Sequence, residues 1–542
     1  MSPLSFQKQW VVGIAGAALA AALLITSTLT RSEPYIAARG GQYTEGIAGP
    51  PQLINPILAS DDAATSIAAL VFSGLTRTGE SGEILPDLAE RWEISPDGKT
   101  YTFYLRRTVK WHDGAPFTAA DVVFTINAIK DADYQGPLQQ LWRTVTVEQV
   151  DDYTVRFALE RDPFAPFLEY TTVGILPAHL LSDIPARQLP FESFNRAPIG
   201  TGPYRVRDVS PEAVTLEAFS GYYGPKPFIE RLRFRFYPSP QAVLAALDRG
   251  EVEGAYYVAP NEVEPLRRSG RVAIYSAQMA SYTLIFLNLS RPIFQEKAVR
   301  QALAYAIDRQ KLINEFRQGQ AIKADSPILP TSWAYHAGIK RYDYNPELAR
   351  QLLDKARWLP GADGIREKDG KRLAFVLLTN ESETRERVRM AEEIARQLRE
   401  IGVQVEVQAA GAGGLVQEFL LTRRFDAALY SWDLNGYDPD PYPLWHSSQA
   451  TGTGLNLSGF SNRRADEILE AARRTLDQAQ RRQLYIEFQD IFAEEVPSIL
   501  LYYPVYNYAV STKVKGIRLG LMLDVADRFR DIDRWYILTR RP

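Results

Sequence analysis

The residues best suited to chemistry lie in one stretch, Tyr430-Ser-Trp-Asp-Leu-Asn-Gly-Tyr-Asp-Pro-Asp440, dense in aromatics and carboxylates. Trp432 offers a flat apolar wall, Asp433 a fixed negative charge and Gly436 a close approach of main chain. Together these suit a cationic amine on an apolar stem, held by a charge-assisted hydrogen bond of about 1.5 to 3 kcal/mol once water is excluded. The candidate ligand residues here are Ser431, Trp432, Asp433, Asn435 and Gly436. The plainer alternative is a Pro- and Asp-rich surface turn with a half-buried Trp.

Two other chemistries compete for the same carboxylates. Asp433, Asp438 and Asp440 could serve acid/base catalysis, as in a secreted hydrolase acting through Asp433 and Asp438. They could also bind a hard cation, but Asp438-Pro-Asp440 has no glycine-centred calcium loop. The four histidines, His112, His179, His336 and His446, are scattered and read as surface or packing residues. Gly200-Thr-Gly-Pro203 lacks the Lys-Ser/Thr ending of a phosphate loop and reads as a tight turn. No cofactor or metal is expected.

The elements that must position the stretch are legible upstream. Leu373 to Thr379 is a continuous apolar run, as in a strand covered on both faces. Val388, Ala391, Ile394, Leu398 and Ile401 follow at helical spacing, Gly402 stops the helix, and Val403 to Val407 alternates as a strand. A short helix near Leu415 to Leu421 leads into a third strand from Phe425 to Tyr430. This β-α-β-α-β series predicts parallel strands, with ligands bound beyond their carboxyl ends, where Trp432 and Asp433 fall. Nearer the amino terminus, Tyr101 to Leu105 predicts a strand. A helix is predicted from Thr118, with Asp121 in a capping box and Val122, Val123, Ile126 and Ile129 on its apolar face.

At 542 residues the chain exceeds one core, so two lobes are the default. Lys+Arg 62 against Asp+Glu 65 gives no electrostatic case for nucleic acid. Cys is absent, which excludes disulfides, thiolate chemistry and a lipid-bearing cysteine. Trp10 to Leu29 is free of charge and long enough to span a bilayer, with no convincing signal-cleavage pair after it. An uncleaved anchor is expected, with residues 1–9 inside and the bulk of the chain outside.

Several ordered stretches carry a family resemblance: Gly41 to Gly46, Leu53 to Ile57, Val71 to Thr76, Leu85 to Trp92, Ser95 to Arg106 and Lys110 to Thr118. Leu176 to Leu180, Gly200 to Tyr204, Val299 to Arg309 and Trp432 to Asp440 continue it. Together they resemble the extracytoplasmic solute-binding proteins of bacterial ABC importers, the dipeptide/oligopeptide-binding group known as solute-binding family 5.

The resemblance implies a two-lobed α/β fold of the periplasmic-binding-protein type, with an extra domain inserted in lobe I. Lobe I would comprise 41–60, 200–288 and 505–542, the inserted domain 61–199 and lobe II 289–504, after an anchor at 10–29 and a spacer at 30–40. Hinges would fall near Asn288 and Tyr503. It implies a monomeric receptor that delivers a short peptide to a membrane permease driven by ATPase subunits. Asp433 would hold the peptide's amino terminus, and the main chain of Ser431 to Asp433 and of Thr44, Glu45, Gly46 and Ile47 would pair with the ligand as an added strand. Leu434 and Tyr437 depart from the pattern by their bulk. An oligosaccharide ligand is the alternative, since Trp432 and Trp445 could stack on sugar rings.

Overall fold

The computed structural model describes residues 36–381, 385–434 and 436–540. The expected anchor at 10–29 and the candidate Asn435 lie outside the described residues. Among the described residues no helix is long and apolar enough to cross a membrane.

In the strand Thr100–Leu105 the side chains of Tyr101, Phe103 and Leu105 are buried and their neighbours half-exposed, the alternation of a strand with one covered face. It joins Ala89–Ile94, Thr154–Leu159 and Val145–Asp151 in a four-stranded antiparallel sheet. The helix Ala119–Lys130 packs Val122, Ile126 and Ile129 into the interior, while Val123 is half-exposed. Asp121 fixes its start by accepting a hydrogen bond from the Thr118 N–H at 2.9 Å. The apolar core under this sheet is continuous with that of lobe I, running from Phe103 and Phe157 to Phe234 and Trp535.

The larger sheet runs through both lobes. Lobe II carries Gln404–Ala410, Ala374–Asn380, Ala427–Asp433 and Ser281–Leu287 in that spatial order. The first three strands are mutually parallel, Leu377 lying opposite both Val407 and Ala427, which is the pairing that a right-handed βαβ crossover requires. The connecting helix, Glu386–Glu400, buries Val388, Ala391, Ile394 and Leu398. Gly402, at a φ of +85°, turns the chain in a conformation that other residues adopt at a cost. The second connection is a six-residue π-helix, Leu415–Leu420. Separate apolar clusters cover the two faces of the lobe II sheet, which is why Leu377 and Leu378 are both buried.

Lobe I contributes Gly254–Ala255, Gln42–Ala48, Arg231–Tyr237, Ala213–Ala218 and Tyr204–Val209 to the same sheet. The link is Ser498–Ser511, a 14-residue strand whose first half pairs with Ser281–Leu287 and whose second half pairs with Val272–Gln278. The chain therefore crosses between lobes at Met279–Ala280 and again at Tyr503–Pro504, where the Met279 N–H bonds the Pro504 carbonyl at 2.9 Å.

This corrects the hinge expected at Asn288. Asn288 lies at the far end of its strand, deep in lobe II, where its amide donates to the carbonyls of Arg423 at 3.1 Å and Phe425 at 2.8 Å. The lobe I segment expected to end at residue 288 ends instead before Ser281.

Candidate ligand-binding cleft

The strand Ala427–Asp433 places Trp432 and Asp433 at its carboxyl end, on the rim facing lobe I. On one side it pairs antiparallel with Ser281–Leu287 along its whole length, Asp433 opposite Ser281. On the other side Ala374–Asn380 pairs with it only as far as Leu429. From Tyr430 to Asp433 that second edge is open among the described residues.

Hydrogen-bond alternation shows which groups the open edge presents. The Leu434 N–H bonds the Ala280 carbonyl at 2.7 Å, so Trp432 and Tyr430 likewise direct their main-chain groups at the Ser281–Leu287 strand. Ser431 and Asp433 then direct theirs outward, over the cleft.

Asp433 is exposed and forms no ion pair among the described residues. The protein crowding it raises its carboxyl above the ordinary range; Arg387 opposes this and Asp524, across the cleft in lobe I, adds to it. Arg387 donates to the Ser431 hydroxyl at 2.8 Å, and Ser431 also bonds Thr283 at 2.7 Å, so the serine side chain is committed to the protein. Trp432 is half-buried with its ring perpendicular to Phe286, centroids 6.1 Å apart.

Gly436 works by having no side chain. A Cβ there would overlap Glu169 Oε2, because the Glu169 carboxylate, reaching over from the domain of the four-stranded sheet, accepts a hydrogen bond from the Asp438 N–H. Burial, aided by the nearby Asp438 charge, raises the Glu169 carboxyl to about 8. Beside it the Tyr437 hydroxyl bonds the Leu521 carbonyl and Asp527 Oδ2, each at 2.9 Å, and Ala165 N–H bonds the Arg473 carbonyl at 2.8 Å. The segment after Asp433 thus carries contacts between the lobes, and the bulk of Tyr437 serves that contact.

Three readings of the sequence, the rival hydrolytic one first, meet the structure here. Asp438 is gripped by both terminal nitrogens of Arg481, at 2.7 and 2.8 Å, and Asp440 by Arg473 at 2.6 and 2.8 Å. Both carboxylates are thereby drawn into bidentate ion pairs that hold the loop together. Trp445 is 1% exposed and packs edge-on against Phe492, centroids 4.7 Å apart, so its face is closed to a sugar ring.

The third concerns Thr44, Glu45, Gly46 and Ile47. Their strand is interior: Arg231–Tyr237 pairs with it on one side, and on the other the Thr44 N–H bonds Glu253 Oε2 at 2.8 Å and the Thr44 carbonyl accepts from the Glu253 N–H at 2.8 Å. The Gly46 carbonyl accepts from Tyr256, and all four residues are buried. Glu45 bonds Arg528 Nε at 3.0 Å and the Tyr508 hydroxyl at 2.9 Å in a buried network of lobe I. No main-chain group of this stretch is left for a ligand.

The histidines occupy separate places. His112 is buried, its Nδ1 accepting from the Gly200 N–H at 3.2 Å and its other ring nitrogen lying 3.0 Å from the Gly202 carbonyl. It braces the Gly200–Gly202 turn, and burial lowers its pKa to about 4. Sequence reading missed Arg387, Glu169 and Asp524, which reach the cleft from three distant segments. Only Arg387, on the cleft-facing end of a legible helix, left any trace.

Two lobes joined by two strand crossings, with an open strand edge and a free carboxylate on the rim between them, define a two-lobed binding protein. A family model for Bacterial extracellular solute-binding proteins, family 5 Middle, matches residues 83–454, and the chain belongs to that family. It is 31% identical over 507 residues to the Oligopeptide-binding protein AppA of Bacillus subtilis, covering 92% of each. The solved AppA in complex with a nonapeptide superposes with a TM-score of 0.73 at 30% identity, covering 93% of this chain and 100% of that one. NikZ from Campylobacter jejuni in complex with Ni(L-His) superposes at 0.75, also at 30% identity, covering 91% and 99%. This chain is accordingly a solute-binding receptor and not an enzyme.

Proposed function

We propose that the chain captures a short peptide in extended form along the open edge of Tyr430–Asp433 and delivers it to the permease of an ABC importer. The observation carrying this reading is the pairing of an unoccupied strand edge with an unpaired carboxylate at its end. Main-chain groups of Ser431 and Asp433 would bond the peptide backbone, and Asp433 would neutralise its amino terminus. Such binding is tolerant of side chains because the bonds are to groups that every residue shares. AppA, similar over nearly the whole chain, was solved with a peptide, which supports the same reading. No group of three or more His, Cys, Asp or Glu suited to hold a metal ion occurs among the described residues, so the peptide reading is favoured over direct metal capture.

Calorimetry with short peptides tests it. Asp433→Asn should weaken binding by about 1 to 3 kcal/mol, the worth of a charged hydrogen bond. Unchanged affinity would remove Asp433 from the site.

The finer architecture belongs to the same proposal: residues 61–199 as a domain inserted in lobe I, and residues 10–29 as an uncleaved anchor leaving the lobes on the extracytoplasmic face. Mass spectrometry of the membrane fraction should find peptides preceding Trp10; a mature amino terminus beyond Ser32 would instead make the receptor freely diffusing.

A further inference from the structure

Resting on the anchor at 10–29 proposed above, the geometry points to a docking patch beside lobe I whose partner is a bilayer surface of anionic phospholipid. Three observations combine. The first is a ribbon that the lobe leaves partly uncovered. Ile36–Ala38 and Leu538–Arg540 form a separate two-stranded antiparallel sheet, with Ile36 opposite Arg540 and Ala38 opposite Leu538. Opposed and alternate residues of such a pair share a face. Ile36 and Leu538 therefore lie on one face, and they are 40% and 44% exposed.

The second is the charge gathered around the ribbon. The Gly40 N–H bonds the Phe228 carbonyl at 2.8 Å, and the Phe228 and Tyr536 rings lie 6.3 Å apart. Tyr536 in turn exchanges main-chain hydrogen bonds with Lys515, at 2.9 and 3.0 Å. The segments so joined, 36–41, 226–230, 513–516 and 535–540, hold Arg39, Lys226, Lys513, Lys515 and Arg540 against a single acid, Glu230. Arg39, Lys226 and Lys515 are exposed, and none of the three forms an ion pair among the described residues.

The third is reach. Only residues 30–35 separate Ile36 from the apolar run that ends at Leu29. Seven residues span at most about 25 Å even when fully extended, and the headgroup layer occupies several of those. The ribbon is thus confined to the neighbourhood of the bilayer surface. Aliphatic side chains flanked by aromatic rings and cations suit that surface, because the apolar groups enter the headgroup boundary while Lys and Arg meet lipid phosphate. A second copy of the chain would bring like charge to like charge, whereas an anionic leaflet complements it.

The test uses the full chain reconstituted in nanodiscs. Because the chain has no cysteine, Thr539→Cys, at an exposed position of the ribbon, carries a single fluorophore. Quenching by a headgroup-nitroxide lipid is compared between discs of phosphatidylglycerol mixed with phosphatidylcholine and discs of phosphatidylcholine alone. Quenching is expected to be about twofold stronger in the anionic discs. It should fall to the phosphatidylcholine level in about 1 M salt, where the screening length is about 3 Å. Arg39→Glu with Lys226→Glu should lower it likewise, and Lys515→Glu on a separate segment gives an independent variant. Equal quenching in the two kinds of disc, as self-association through the ribbon would produce, or quenching that survives both charge reversals, would overturn the patch and leave the anchor standing. A chain that washes off the discs would overturn the anchor reading and the patch with it.

Discussion

At the scale of single residues, charge in this molecule divides by partner. Asp438 and Asp440 each meet an arginine in two hydrogen bonds, Glu45 is enclosed with Arg528, and Asp433 has no ion-pair partner among the described residues. Glu169 is different again, a crowded carboxyl lifted to about 8 mainly by burial. Its folded pKa lies above its unfolded value near 4.3, so the folded state holds a proton that the unfolded chain releases as pH rises. The associated stability is fully present below about pH 4 and is lost as pH rises through about 8. Glu169→Gln, which mimics the protonated form, should lessen that loss. Melting temperatures compared at pH 5 and pH 8 should fall less for the variant than for the parent; parallel falls would show that Glu169 does not titrate in this window.

At the scale of elements, the open edge gives a sharper test than the carboxylate. The Ser431 N–H has no partner within the described protein, so Ser431→Pro, compared with Ser431→Ala, which loses the bonds of the hydroxyl to Arg387 and Thr283 alone, removes a donor that the fold does not use, at an edge position that tolerates proline. Peptide affinity should fall about tenfold, near the net worth of one hydrogen bond, while the melting temperature stays within a few degrees. A large drop in melting temperature would mean that the edge is not free.

The same elements show what the sequence conveys. Leu373 to Thr379, the Val388 to Ile401 periodicity and the Gly402 stop are local patterns, and the βαβ series they predict stands nearly residue for residue. The place of Trp432 and Asp433 at the carboxyl end of the third strand was legible from the same periodicity, though the strand runs to Asp433 where the sequence suggested an end at Tyr430. Thr44 to Ile47 misled because an interior strand and a ligand-pairing one have the same composition; only the neighbours Arg231–Tyr237 and Gly254–Ala255 tell them apart, and they lie some 190 to 210 residues away. Trp445 misled similarly, since its burial depends on Phe492. Asn288 suggested a hinge where the chain leaves a strand, but the crossing occurs in mid-ladder, where no turn residue marks it.

At the scale of the whole molecule, contacts between the lobes include the two strand crossings, the Tyr437 hydroxyl on Leu521 and Asp527, the Ala165 N–H on the Arg473 carbonyl, and the Glu169 carboxylate on the loop after Asp433. On the proposed reading, ligand capture and lobe contact share one short loop. A peptide held at Asp433 would then also steady Gly436 to Asp438, and through them the approach of the lobes.

The 14-residue strand Ser498–Ser511 has a thermodynamic consequence as well. Because its two halves complete different lobes, neither lobe can melt without fraying a ladder that the other depends on. Scanning calorimetry of the ligand-free chain should show one endotherm with calorimetric and van't Hoff enthalpies in agreement, despite a length at which separate domain transitions are common. Two resolved endotherms would mean that the strand bends without transmitting cooperativity. With a single one, the receptor's two halves are bound by shared fate, and a lesion anywhere along that strand would cost the cell both.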